Sequence, residues 1–115
     1  GYHVAYYKKA LEVRALIAQD YRNSFKVVDV IIAPTTPSPP FALGEKTADP
    51  LQMYLSDIFT IPANLAGIPA ISIPMRNTKH SSGLPMGFQL IGKHFCEQDL
   101  FGLGHHYERI NGIDL

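Results

Sequence analysis

Apolar side chains recur every three or four positions through the first quarter of the chain: Tyr6, Ala10, Val13, Ile17, Tyr21, Phe25 and Val28. That spacing lines one face of a helix, and Lys8, Lys9, Glu12, Gln19, Arg22 and Asn23 fall mostly off the seam. The pattern predicts one long amphipathic helix over residues 3–27. The period then changes. Val30-Ile-Ile-Ala33 is a short, continuous, mostly β-branched run, which predicts a strand covered on both faces, as in a parallel or mixed sheet flanked by helices. Pro34-Thr-Thr-Pro-Ser-Pro-Pro40 stops it, because four prolines in seven residues remove ladder donors and favour a stiff, extended loop. Such a loop reads either as a surface connector or as the carboxyl end of a strand, where open α/β sheets place ligands.

Residues 41–49 read as loop. Asp49-Pro50 is a helix start, with Asp as N-cap and Pro at the first helical position, and it predicts a short helix over residues 50–56. Pro62 opens a second one through Asn64-Leu-Ala, which Gly67 terminates. Ala70-Ile-Ser-Ile-Pro74 reads as the second strand and residues 86–91 as the third, the latter with both faces covered. The polar stretch 77–84, with Lys79, His80, Ser81, Ser82 and Gly83, suits a hairpin-type connection between them. A last helix is predicted over residues 97–110, with Leu100, Leu103 and Ile110 on one side. Gly102 and Gly104 each weaken it by about 1 kcal/mol relative to Ala. The order helix, strand, short helices, strand, strand, helix describes part of an α/β fold: a mixed β-sheet flanked by helices, with no domain boundary within residues 1–115.

Composition narrows the function classes. At 115 residues the chain is one domain-sized unit, able to bury roughly two-thirds of its unfolded surface. Ten basic and ten acidic residues cancel, so there is no basic stripe of the kind a phosphate backbone demands. Cys96 is the single cysteine and forms no intrachain disulfide, which fits a reducing compartment. No apolar run is long enough to span a membrane as a helix. The chain opens Gly1-Tyr-His without an initiator Met or a signal-peptide layout, so further sequence is expected upstream.

The sequence carries few candidate catalytic sets. There is no G-x-S-x-G elbow, and Ser56, Ser72, Ser81 and Ser82 have no local base in sequence. His105 and His106 are adjacent, so on a helix they point about 100° apart and share no ligand face. No H-E-x-x-H or C-x-x-C spacing and no phosphate-cradling glycine loop occurs, so neither a metal nor ATP is expected on this segment. Cys96 falls at a predicted helix start and reads as a packed or available thiol. Asp57 is different. It follows the short helix within Tyr54-Leu-Ser-Asp-Ile-Phe59, and a carboxylate in apolar company must be paired or must cap. It reads either as the N-cap of the next segment or as a fixed negative charge that recognises a ligand ammonium group.

Several phrases carry a resemblance. They are Tyr6-Tyr-Lys-Lys-Ala10, Val28-Asp-Val-Ile-Ile-Ala-Pro-Thr-Thr-Pro37, Gly44-Glu-Lys46, Asp49-Pro-Leu51, Met53-Tyr-Leu-Ser-Asp57, Pro62-Ala-Asn-Leu-Ala-Gly-Ile-Pro-Ala-Ile-Ser-Ile-Pro74 and Gly83-Leu-Pro-Met-Gly-Phe-Gln-Leu-Ile-Gly92. Together they resemble the C-terminal part of the amidase signature family, an α/β/α fold. Within it, the Met-Tyr-x-x-Asp phrase resembles the branch formed by A subunits of glutamyl-tRNA(Gln) amidotransferases. The resemblance implies glutamine hydrolysis by a Ser-Ser-Lys set, with ammonia passed to a second subunit where ATP-activated glutamate on tRNA is amidated. None of the Ser-Ser-Lys residues matches a position here, so no catalytic residue is assigned and this segment by itself is expected to be inactive. The one residue carried over is Asp57, at the position where the family binds the α-ammonium of glutamine. Arg14 and Arg22 are not assigned the family's carboxylate-clamping role.

The resemblance also implies B and C subunits as partners, ATP and Mg2+ for the full complex, Glu-tRNA(Gln) reached through the complex rather than this segment, and no membrane. A bacterial cytoplasm or an organellar matrix would be the compartment. Two alternatives stay open: a general amidase of the same family, and a stand-alone, non-catalytic interaction module. The module reading must contend with an open sheet edge and an apolar patch, which favour self-association.

Overall fold

The computed structural model describes residues 1–75 and 83–113. Its elements run α1 (Tyr2–Ser24), β1 (Val30–Pro34), α2 (Pro50–Ser56), α3 (Ile61–Ala66), β2 (Ala70–Pro74), β3 (Gly87–Gly92) and α4 (Glu97–Asn111). The order is the one the sequence predicts, and the α/β class with it. The expected polar connection over 77–84 falls mostly outside the described residues.

The three described strands form an antiparallel sheet in the order β1-β3-β2. β3 therefore has both edges bonded: Leu90 stands opposite Ile32 on one side and Ile71 on the other, and Gln89 stands opposite Ala33 and Ser72. Alternation along β3 gives its two faces different work. Phe88 and Leu90 turn to α4, where Leu90, Ile73 and Leu100 form the core, with Val30, Ile71, Phe88 and Tyr107 packed around them. The Phe88 and Tyr107 rings meet edge to face, their centroids 5.0 Å apart. Gln89 lies on the opposite face, which shares a concavity with α3. α3 in turn packs on α1, and Arg14 Nε donates to the Leu65 carbonyl at 2.8 Å.

Glycine sets how closely α4 approaches the sheet. A Cβ at Gly104 would stand 3.0 Å from Ile73 Cδ1, and one at Gly92 would stand 3.0 Å from Leu100 Cγ. Gly104 thus lets α4 lie close against Ile73, whereas its cost to the helix was all that the sequence suggested. At α3, Gly67 adopts the left-handed conformation (φ 69°) and its N–H bonds the Ala63 carbonyl, ending the helix as expected.

Three expectations are corrected. α1 stops at Ser24, three residues early: Phe25 caps it and residues 25–28 continue as turns bonded to Tyr21, Asn23 and Ser24 carbonyls. β1 is not covered on both faces along its length: Val30 reaches the core, but α4 leans over β2 and β3 and leaves Ile32 67% exposed. Nor does the segment bury a large core. The radius of gyration is 17.0 Å, against about 13 Å for a compact chain of roughly 100 residues. Only the C-terminal part of the α1 stripe (Ile17, Tyr21, Phe25) is half-buried, and Tyr2, Val4, Tyr6 and Tyr7 are all exposed.

Gly104→Ala and Gly102→Ala test the close approach. Alanine at 104 must displace Ile73, and overpacking of about 1–3 kcal/mol outweighs a helix-propensity gain of about 1 kcal/mol. Alanine at 102 meets nothing within 4 Å and keeps that gain. In denaturant unfolding of the full-length protein, Gly104→Ala is expected to destabilise and Gly102→Ala to stabilise. Stabilisation by both would show that α4 does not sit this close to β2.

Candidate functional site

Local chemistry places Asp57 at a corner. Asp49 starts α2 by accepting from the Leu51 and Gln52 backbone N–H groups at 2.9 and 3.3 Å, with Pro50 following it. Seven residues later α2 ends and Asp57 is its C-cap. The Asp57 carbonyl accepts from the N–H groups of Thr60 and Ile61, both at 3.0 Å, and from the Thr60 hydroxyl at 3.2 Å. The corner is built by Asp57's backbone. Its carboxylate is exposed and accepts no hydrogen bond from any described residue.

This corrects the premise drawn from the neighbouring residues. Tyr54, Leu55, Ile58 and Phe59 are apolar, but each is exposed and they do not enclose the carboxylate. Asp57 does not N-cap α3 either; Thr60 holds that position. The Asp57 carboxylate is thus neither enclosed by its neighbours nor the cap of α3.

Two tethers hold the corner, one on each side of Asp57. Gln89, only 3% exposed, donates both amide hydrogens: to the Phe59 carbonyl at 2.7 Å and to the Pro34 carbonyl at 3.0 Å. It thereby ties the Asp57 corner and the start of the proline loop to the central strand. Lys46 Nζ donates to Ser56 Oγ at 3.2 Å and to Ser38 Oγ at 2.9 Å, and stands 4.1 Å from the centre of the Phe41 ring. It ties the last residue of α2 to the far part of the proline loop. Ser56 therefore does have a lysine beside it, which sequence proximity did not reveal. That hydroxyl donates onward to the Gln52 carbonyl at 3.0 Å.

Two concavities flank this framework. One, of about 430 Å3, lies between α3 and the Gln89 face of the sheet, with Thr60, Ala63 and Asn64 opposite Ser72 and Gln89. The other, of about 600 Å3, lies under the proline loop against Phe88, Met75 and Met86, with Ser56 at its edge. Thr35 and Ser72 line both, and their hydroxyls are hydrogen-bonded at 2.9 Å, so they form the partition. The proline loop is thus a cavity wall as well as a connector. Asp57 lines neither concavity, although its neighbour Ser56 lines one and Thr60 the other.

The remaining candidates lie elsewhere. Arg22 hydrogen-bonds Gln19 on α1 and borders a separate hollow with Lys93 and His94. Lys93 is committed to Asp29 at 2.9 Å, and this hydrogen bond raises its pKa. Cys96 is a half-buried N-cap of α4 whose side chain makes no capping bond. Among the described residues no group of three or more His, Cys, Asp or Glu side chains converges.

Sequence reasoning missed Gln89 and Lys46. Gln89 had a legible signal, a lone amide inside the apolar run Gly87-Phe-Gln-Leu-Ile91. Lys46 had none, since its partners are eight and ten residues away across loops. Gln89→Leu keeps the volume and removes the bonds to the Phe59 and Pro34 carbonyls, at about 1–3 kcal/mol for the two together. The expected result is a lower midpoint in denaturant unfolding, with the loss concentrated in amide-exchange protection around residues 57–61. Unchanged stability would show that these two bonds do not hold the corner.

A family model described as Amidase matches residues 1–101. The chain is 56% identical over 109 residues to the A subunit of glutamyl-tRNA(Gln) amidotransferase from Geobacillus thermodenitrificans, covering 95% of this chain and 22% of that protein. It is 55% identical, over the same length, to an A subunit of glutamyl-tRNA(Gln) amidotransferase from Clostridium acetobutylicum. The chain thus spans about a fifth of the length of the curated relatives it matches. Among solved structures, Kluyveromyces lactis allophanate hydrolase (the S177A variant) superposes with a TM-score of 0.72 at 29% identity, over 87% of this chain and 16% of that one. The family match over residues 1–101 and the shared fold establish that this chain belongs to the amidase family.

Proposed function

We propose that this chain is part of the glutamine-hydrolysing A subunit of a glutamyl-tRNA(Gln) amidotransferase, and that it supplies pocket wall and a substrate-binding carboxylate rather than the nucleophile. The observation that carries the reading is the identity of 56% over 95% of the chain to such a protein, against 29% to an allophanate hydrolase of similar fold. On this reading the protein releases ammonia from glutamine for the conversion of Glu-tRNA(Gln) to Gln-tRNA(Gln), together with B and C subunits, in a bacterial cytoplasm or an organellar matrix. No helix among the described residues is long and apolar enough to cross a membrane.

The role proposed for Asp57 follows from its chemistry. An unpaired, exposed carboxylate on a doubly tethered corner is a preorganised acceptor for the α-ammonium of glutamine. Holding the amino-acid head fixes where the side-chain amide meets a nucleophile contributed by another part of the protein. This segment alone is proposed to be inactive. ATP and Mg2+ are proposed for the full complex rather than for this segment. They belong, with the tRNA, to other surfaces of the complex; the charge of this chain, ten basic against ten acidic, agrees with that division.

Asp57→Ala in the full-length protein, assayed by ammonia release, is expected to lower kcat/KM for glutamine about a hundredfold, mainly through KM. Unchanged glutamine kinetics in a folded variant would sink the assignment. A substrate panel separates the general-amidase reading, under which simple amides would be hydrolysed as well as glutamine.

A further inference from the structure

The geometry points to Lys46 as a positioning residue: it locks the end of α2, and with it Asp57, to the proline loop, and so sets the selectivity for substrates that carry an α-ammonium group. The inference rests on the proposed role of Asp57 and deepens it.

Lys46 is half-buried, and its ammonium is held entirely by neutral partners. Its hydrogen bonds go to Ser38 Oγ in the proline loop and Ser56 Oγ at the end of α2, and the Phe41 ring lies 4.1 Å away. The ion pairs among the described residues are Lys9–Glu12 and Lys93–Asp29, so no described carboxylate shares Lys46. The three contacts join two stretches that are distant in sequence, residues 38–41 and the end of α2. Ser56 is the residue immediately before Asp57. On the other side, Gln89 fixes the Phe59 carbonyl, two residues after Asp57. With Gln89 alone the corner would pivot about Phe59, because α2 buries no residue. Lys46 supplies the second fixed point. A corner held at both ends presents its carboxylate in one place, and a misplacement of the order of 1 Å is enough to cost a binding contact its effect. The same bonds join the wall of the 600 Å3 concavity to the corner, since Ser38, Phe41 and Ser56 all line it.

The test compares two substrates in the full-length protein: glutamine, and glutaramic acid, which has the same side-chain amide without the α-amino group. The readout is the ratio of their kcat/KM values, which general loss of folded protein does not move. Lys46→Met is expected to lower the glutamine-to-glutaramate ratio about tenfold. Lys46→Arg, which keeps a donor and the cation over Phe41, should restore most of it. Ser56→Ala removes the acceptor beside Asp57, along with the hydroxyl's own bond to the Gln52 carbonyl, and should lower the ratio as Lys46→Met does, which keeps the test open if Lys46→Met fails to fold. Asp57→Asn is the control. If Asp57→Asn lowers the ratio while Lys46→Met and Ser56→Ala leave it within twofold of wild type, the positioning role is overturned and the Asp57 reading survives. If Asp57→Asn leaves it unchanged, the Asp57 reading fails and the positioning role with it.

Discussion

β3 is the constraint on which everything else rests. It is the only described strand bonded on both edges, and it is packed on both faces. On one face Leu90 joins Ile73 and Leu100, a cluster whose members are each about 2% exposed. Burial on that scale is worth about 1.5–3 kcal/mol per side chain. On the other face the next residue, Gln89, places a primary amide where two backbone carbonyls converge. Strand alternation puts these two residues back to back, so the packing that fixes Leu90 also aims Gln89. The corner that presents Asp57 therefore takes its position from the core, without being part of it.

The corner illustrates how a loop acquires precision without burial. α2 has seven residues and no buried side chain, too little to be stable in isolation. What orders it is polar: the Asp49 cap at its start, Lys46 at its end, and Gln89 just beyond. Each bond contributes about 1 kcal/mol net, but they act on three successive points of one short segment and leave it little freedom to pivot. The carboxylate between them remains open to solvent.

The exposed apolar surface belongs to the same picture. α1 turns Tyr2, Val4, Tyr6 and Tyr7 outward, β1 exposes Ile32, and the outer edges of β1 and β2 carry no described strand partner. Surfaces of this kind are normally covered by other structure. The relatives are about five times longer than the stretch they share with this chain, and Kluyveromyces lactis allophanate hydrolase places the same fold within a much larger one. The core is shallow: with helices packed on a three-stranded sheet and Ile32 left exposed, the described residues do not enclose a large interior.

Neighbouring residues were enough to fix the elements and most of their ends. Asp49-Pro50, Gly67 and the Pro34–Pro40 run act through local backbone geometry, a cap, a left-handed residue and a set of missing donors, and local geometry is written in adjacent positions. The motif phrases likewise carried the family. Long-range contacts were not legible in this way. The Phe59 and Pro34 carbonyls that Gln89 joins are 30 and 55 residues from it, and the hydroxyl partners of Lys46 lie across two loops. Periodicity has no knowledge of such pairings. It also counted Gly104 as a cost to α4, where the fold uses the absent Cβ to seat Ile73. It read Asp57 as enclosed because its neighbours are apolar, although adjacency in sequence says nothing of which way a short exposed helix turns them. Burial and long-range hydrogen bonding are properties of the assembled chain, and it is the assembled chain that leaves Asp57 open.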